Sequence, residues 1–127
     1  MTVPRLSDLA QVHGPVARPG YDPQQAGVGI VHFGVGAFHR AHQAAITDSA
    51  LALGGDWRIV GVSLRSVDTA EVMNPQNGLY TLVERGVAGT SARLIGSISH
   101  LIASDPAATL EALSDPAIRI VTLTVTE

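Results

Sequence analysis

The sequence predicts an α/β fold, in which a parallel sheet with helices on its faces is interrupted by an inserted antiparallel hairpin. Three observations carry that prediction. The runs Val28–Phe33, Trp57–Leu64 and Ile118–Val125 are short and almost continuously apolar, the pattern of strands buried on both faces of a parallel sheet. A glycine turn, Gly34-Val35-Gly36, leads from the first run straight into a segment of helical period. Between the second and third runs, two strand-like segments flank Gly86-Val87-Ala88-Gly89, which reads as a hairpin.

Taken in order, residues 1–26 hold four of the seven prolines and no sustained period, so they read as an N-terminal arm lying across something else. Val28–Phe33 is the first strand. From Phe38 to Leu53, apolar residues fall at 38, 41, 45, 46, 50 and 53, a helical spacing that Gly54-Gly55 ends. Trp57–Leu64 then supplies a second strand, and the right-handed crossover rule sets it beside the first with the helix over the pair. Asp68–Asn77 is polar, contains Pro75 and runs into Asn77-Gly78, so it reads as a loop ending in a turn. Leu79–Arg85 and Ser91–Ile98 are the arms of the hairpin. Asp105 before Pro106 marks a helix start with an N-cap, and Asp115-Pro116 marks its end. Ile118–Val125 closes the order β, α, β, hairpin, α, β, a Rossmann-like half sheet with an insertion. Residues 27–127 are thus expected to be the amino-terminal part of such a domain, an incomplete domain.

The 127 residues, 46% hydrophobic and 15% charged, suit one globular unit with a core of its own. A net charge of -3 without any basic run argues against nucleic acid or an anionic membrane surface as partner. A small molecule is the expected partner. There is no cysteine, which excludes disulfides and thiolate chemistry and suits a reducing, cytoplasmic setting. Neither a signal peptide nor an apolar run near the roughly 20 residues of a membrane span is present, so a soluble protein is expected. All eight basic residues are arginine, so the chain offers no lysine as a general base or Schiff-base amine.

Candidate chemistry gathers at Gly34-Val35-Gly36-Ala37-Phe38-His39-Arg40. Glycine at 34 permits a tight turn, and glycine at 36 lets the backbone approach a pyrophosphate bound by the free N–H groups of the following helix. The third glycine of the usual nucleotide pattern is replaced by His39. Arg40 places a cation in the first turn of a helix, against the macrodipole, which favours either a nearby bound anion or a guanidinium turned to solvent. His39 and His42 stand three apart and offer a metal face, but zinc needs a third ligand and His32 lies back inside the strand as a hydrogen-bonded core residue. After the second strand, Asp68 offers the carboxylate that bonds a ribose in NAD enzymes, while Arg65-Ser66 offers a site for the 2′-phosphate of NADP. Asp68 also reads as a plain loop cap, and spacing leaves the choice open.

The run Gly29-Ile-Val-His-Phe-Gly-Val-Gly-Ala-Phe-His-Arg-Ala-His42 resembles the nucleotide-binding segment of the mannitol dehydrogenase family, the polyol-specific long-chain dehydrogenases. The likeness continues in order through Gly61–Ser66, Gln76–Tyr80, Ile95–Ile98 and Val121–Glu127. It also accounts for His39, because the family pattern resembles G-x-G-x-F-x-R-x-H. The resemblance implies that Gly34, Gly36, Phe38 and Arg40 bind the cofactor and that Asp68 contacts the adenosine ribose, favouring NAD, with NADP possible because Val67 stands where some members have a second acid. It implies an NAD-dependent oxidoreductase that moves hydride between a mannitol-like sugar alcohol, or a hexuronate-derived hydroxy acid, and its keto form. The family's catalytic lysine lies in a helical second domain, so no catalytic residue is expected within these 127 residues, and the chain reads as a fragment inactive on its own whose partners are NAD, a polyol or ketose, and the missing C-terminal domain. The alternative is a non-catalytic nucleotide-binding module that uses the same turn; a histidine metal hydrolase is weaker, and no metal site is expected.

Overall fold

The computed structural model describes residues 5–125. Strands β1 (Val28–Phe33), β2 (Arg58–Ser63), β5 (Ile98–Ala103) and β6 (Ile120–Leu123) form one sheet in the order β5-β2-β1-β6, every pair parallel. Strands β3 (Tyr80–Gly86) and β4 (Gly89–Ile95) pair antiparallel as a separate hairpin, from Tyr80 against Ile95 to Gly86 against Gly89. Helices α1 (Ala37–Ala41), α2 (Gln43–Leu51) and α3 (Asp68–Met73) precede the hairpin, and α4 (Pro106–Ser114) crosses from β5 to β6. Alternate side chains of the sheet feed two cores. Ile30, Ile59, Ile98 and Leu101 pack with Ala44, Ala70 and Met73 in one, while Val31, Val60 and Val62 meet Ala112 and Ile118 in the other. This is the Rossmann-like α/β arrangement with a small antiparallel insertion that the sequence predicts.

Four elements differ from the sequence expectation. The helix expected over 38–53 is broken at His42, whose φ of -119° and ψ of -86° leave the helical region, so α1 and α2 are separate. Asp68–Asn77 is not a loop: it forms α3 and a 3-10 turn at Asn74–Gln76. Asp68 and Glu71 suit the N-terminal turn of that helix, and Ala70 and Met73, three apart, bury its inner face. The second hairpin arm stops at Ile95, and Ile98–Ala103 is a further strand of the main sheet, separated by Gly96-Ser97. The last strand is shorter than Ile118–Val125, and Ile120, Val121 and Leu123 are exposed rather than buried, because among the described residues β6 is an edge strand paired with β1 alone.

Other features follow the sequence closely. Asp105 caps α4 by accepting from Ala108 N–H at 3.0 Å, with Pro106 at the first helical position. The proline-rich segment lies along the hairpin, where Ala17 N–H donates to Ala92 O at 3.1 Å and Ala17 O accepts from Leu94 N–H at 2.8 Å. Tyr21 then fastens it to α2, its hydroxyl donating to the buried Asp48 carboxylate at 2.5 Å.

Candidate nucleotide-binding site

The strand order fixes where a ligand crevice can open. The chain lays β2 and then β5 on one side of β1, and α4 returns it to place β6 on the other side. Connections therefore diverge between β1 and β6, the switch point at which parallel sheets leave a cleft outside the carboxyl ends of their strands. Gly34 lies at that point: its N–H donates to Val62 O at 2.9 Å, and Thr124 N–H donates to Phe33 O at 3.0 Å on the β6 side.

The two glycines of the turn do different things. Gly34 has φ +93°, which L side chains rarely adopt, so this glycine answers a need of the backbone itself. Gly36, the N-cap of α1, has φ -101° and ψ -171°, ordinary extended values, and a Cβ built on it would meet nothing within 4 Å. Neither the conformation nor the packing of this chain asks for glycine at 36. A Cβ at 36 would project into open space at the start of α1, so an incoming group can approach the backbone there.

Around the turn, Arg40 does not swing into solvent; its Nε–H folds back to donate to Gly36 O at 3.2 Å. Phe38 is 66% exposed and lies against His42, ring centroids 4.5 Å apart. Asp68 is exposed in the first turn of α3, beyond the carboxyl end of β2, with its N–H donating to Ser66 Oγ at 3.3 Å; Arg65 is exposed in the same connection. Gly34, Gly36, Phe38 and Arg40 are brought together by one turn, and Asp68 reaches the same end of the sheet from the neighbouring strand.

The histidines separate sharply. The break at His42 turns its ring outward, where Nδ1 donates to Phe38 O at 2.8 Å, whereas His39 is 1% exposed, so the two share no face on which to hold a metal. Among the described residues no three potential ligands cluster. His39 stacks on the equally buried His32, with centroids 3.6 Å apart and planes 10° from parallel, and neither of its ring nitrogens has a hydrogen-bond partner among the described residues. Sequence reasoning missed Tyr80, whose hydroxyl donates to Arg40 O at the junction of α1 and α2, and Thr122, which bonds His32. Both arrive from distant parts of the chain.

Burial, with His32 and Arg40 alongside, pushes the His39 imidazole down to about 4. The unfolded chain binds that proton below pH ~6.5, and the folded chain resists it until about 4, so stability is fully present above 6.5 and falls as the pH drops through this window. The slope from this residue approaches about 1.4 kcal/mol per pH unit. Urea unfolding between pH 7.5 and 4.5 should therefore show a falling midpoint that His39→Phe, which keeps the stack, flattens. Equal pH dependence in both proteins would refute the assignment.

Comparison with known proteins places this geometry. The family profile of the mannitol dehydrogenase Rossmann domain matches residues 28–127. Mannitol 2-dehydrogenase of Cereibacter sphaeroides is 48% identical over 118 residues, 88% of this chain and 25% of that protein. Polyol:NADP oxidoreductase of Gluconobacter oxydans is 46% identical over 119 residues, covering 88% of this chain and 24% of its own. The solved ternary complex of Pseudomonas fluorescens mannitol 2-dehydrogenase with NAD and D-mannitol superposes with a TM-score of 0.86 at 41% identity, over 94% of this chain and 26% of that one. The chain spans about a quarter of the length of these relatives.

Proposed function

The chain belongs to the mannitol dehydrogenase family, and on that premise we propose that it forms the entrance half of an NAD site in a polyol dehydrogenase. One observation carries the reading: Gly36 stands at the sheet's switch point with no conformational or steric reason of its own to be glycine. In this reading Gly34, Gly36 and the first amides of α1 hold the pyrophosphate, Arg40 faces its charge and Phe38 covers it. Asp68 takes the adenosine ribose hydroxyls. A relative solved with NAD and D-mannitol supports the cofactor and the substrate class, while another relative is named for NADP.

Bound NAD supplies the hydride acceptor for a sugar alcohol, or for a hexuronate-derived hydroxy acid, and the residues of this chain bind and orient it. The hydroxyl proton needs another acceptor. The chain contains no lysine, and the rings of His32 and His39 are buried, so we assign the general base to a part of the protein outside residues 1–127. Residues 1–127 alone should accordingly reduce no NAD with mannitol, arabinitol or sorbitol.

Cofactor titration of the whole protein tests the reading. Wild type should bind NAD more tightly than NADP, because the Asp68 carboxylate repels a 2′-phosphate, and Asp68→Ala should narrow that preference by about tenfold, close to 1.4 kcal/mol. Tighter NADP binding by wild type would overturn the role of Asp68, and turnover by residues 1–127 would overturn the assignment of the base.

A further inference from the structure

His32 is buried in β1 with a hydrogen-bond partner on each side of its ring, and those partners dictate where its proton sits. Nε2 lies 3.2 Å from Gly34 O, a carbonyl that only accepts, so Nε2 carries the hydrogen; Thr124 Oγ1, at 3.1 Å, is a second acceptor. On the other side, Gln43 Nε2 donates to Thr122 Oγ1 at 3.1 Å, which leaves the threonine its own hydrogen to give to His32 Nδ1 at 2.7 Å. The chain of donors is consistent from end to end: Gln43 to Thr122, Thr122 to His32, His32 to Gly34. A ring turned over would present carbon atoms to both partners, and the His39 ring stacked on its face hinders that motion.

We propose that His32, held as the neutral Nε2–H tautomer by Thr122 and Gln43, is a positioning residue for the cofactor turn, because it fixes the Gly34 carbonyl from beneath. That carbonyl is also the one that accepts from Gly36 N–H at 2.9 Å and so closes the turn. With the carbonyl drawn inward to the imidazole, the turn presents its open side at Gly36 to the cleft. The inference ties α2 and β6 to the first glycine through one ring, and it rests on the reading of this turn as the NAD site.

Two substitutions at the same position separate the two ends of the ring. In His32→Gln the amide nitrogen takes the place of Nε2 and reaches Gly34 O, whereas in His32→Asn the shorter amide faces Thr122 and leaves Gly34 free. In the whole protein, both should lose similar stability, but His32→Asn should weaken NAD binding roughly tenfold at unchanged kcat with saturating NAD, and His32→Gln by no more than about threefold. Thr122→Val removes the lock without touching the ring and should likewise weaken NAD binding. In the wild type, ring 15N shifts should place the proton on Nε2. Equal NAD affinity in the Gln and Asn variants, or a proton on Nδ1, overturns the inference while leaving the cofactor site in place; a wild type that binds no NAD overturns the reading of the turn and this inference with it.

Discussion

Gly78→Ala should destabilise the protein by about 3–5 kcal/mol, a large share of the roughly 5–15 kcal/mol that holds a domain folded. Two independent penalties add there. Gly78 has φ +75°, and an added Cβ would come within 2.0 Å of Ile98 O, a backbone atom at the start of β5. A flexible side chain could move aside, but a strand carbonyl cannot shift without dragging its ladder. The neighbouring contacts raise the penalty further, because Asn74 pairs its side-chain amide with Leu101, accepting from the N–H at 2.8 Å and donating to the carbonyl at 2.9 Å. The 73–79 segment thus covers the outer edge of β5, a position that would otherwise expose unpaired backbone groups. Gly54→Ala is the matched control: φ is +102° there too, yet nothing lies within 4 Å, so only the conformational penalty of about 1 kcal/mol remains. Urea midpoints of the two variants should differ widely. Similar midpoints would show that β5 yields to the clash and that this edge is softer than its contacts indicate.

The parts of this fold legible in the sequence are those set by neighbours in the chain. Val28–Phe33 ends in a glycine that needs φ +93°, and Asp105-Pro106 announces α4 through a cap four residues or fewer from its partner. The parts that were not legible depend on distant residues. No glycine or proline marks the break at His42; its conformation is supported by Tyr80, whose hydroxyl reaches Arg40 O across 40 residues of sequence. The strand β5 hides behind Gly96-Ser97 and carries Ser99 and His100, so its period is unreadable until Asn74 and β2 pair with its two edges. Of the candidate cofactor residues, Gly34, Gly36, Phe38 and Arg40 lie in one seven-residue stretch; the two glycines and Arg40 are read from local pattern, and Phe38 from the family resemblance. The bond between His32 and Thr122 spans 90 residues and is visible only once β1 and β6 are neighbours.

Gly36→Val in the whole protein should raise the KM for NAD by roughly two orders of magnitude while leaving the fold intact, an effect near 3 kcal/mol that matches the loss of one or two charge-assisted hydrogen bonds to the pyrophosphate. The expectation that the fold survives follows from the structure. The backbone at 36 is extended, a conformation valine favours, and the added carbon meets no atom within 4 Å. Its side chain therefore projects into the space above the turn and obstructs only what would occupy it. Gly34→Val makes the contrast, since φ +93° is a backbone conformation valine adopts only under strain even though its Cβ would make no more than an ordinary contact with Thr124, and loss of NAD binding there would be confounded by loss of structure. For Gly36→Val the thermal midpoint should stay within about 2 °C of wild type. The combination is what identifies the site: an unchanged midpoint with a much higher KM for NAD means that the space above Gly36 is reserved for the cofactor. An unchanged KM would remove the turn from the NAD site, and with it the assignment of Phe38 and Arg40 to the cofactor.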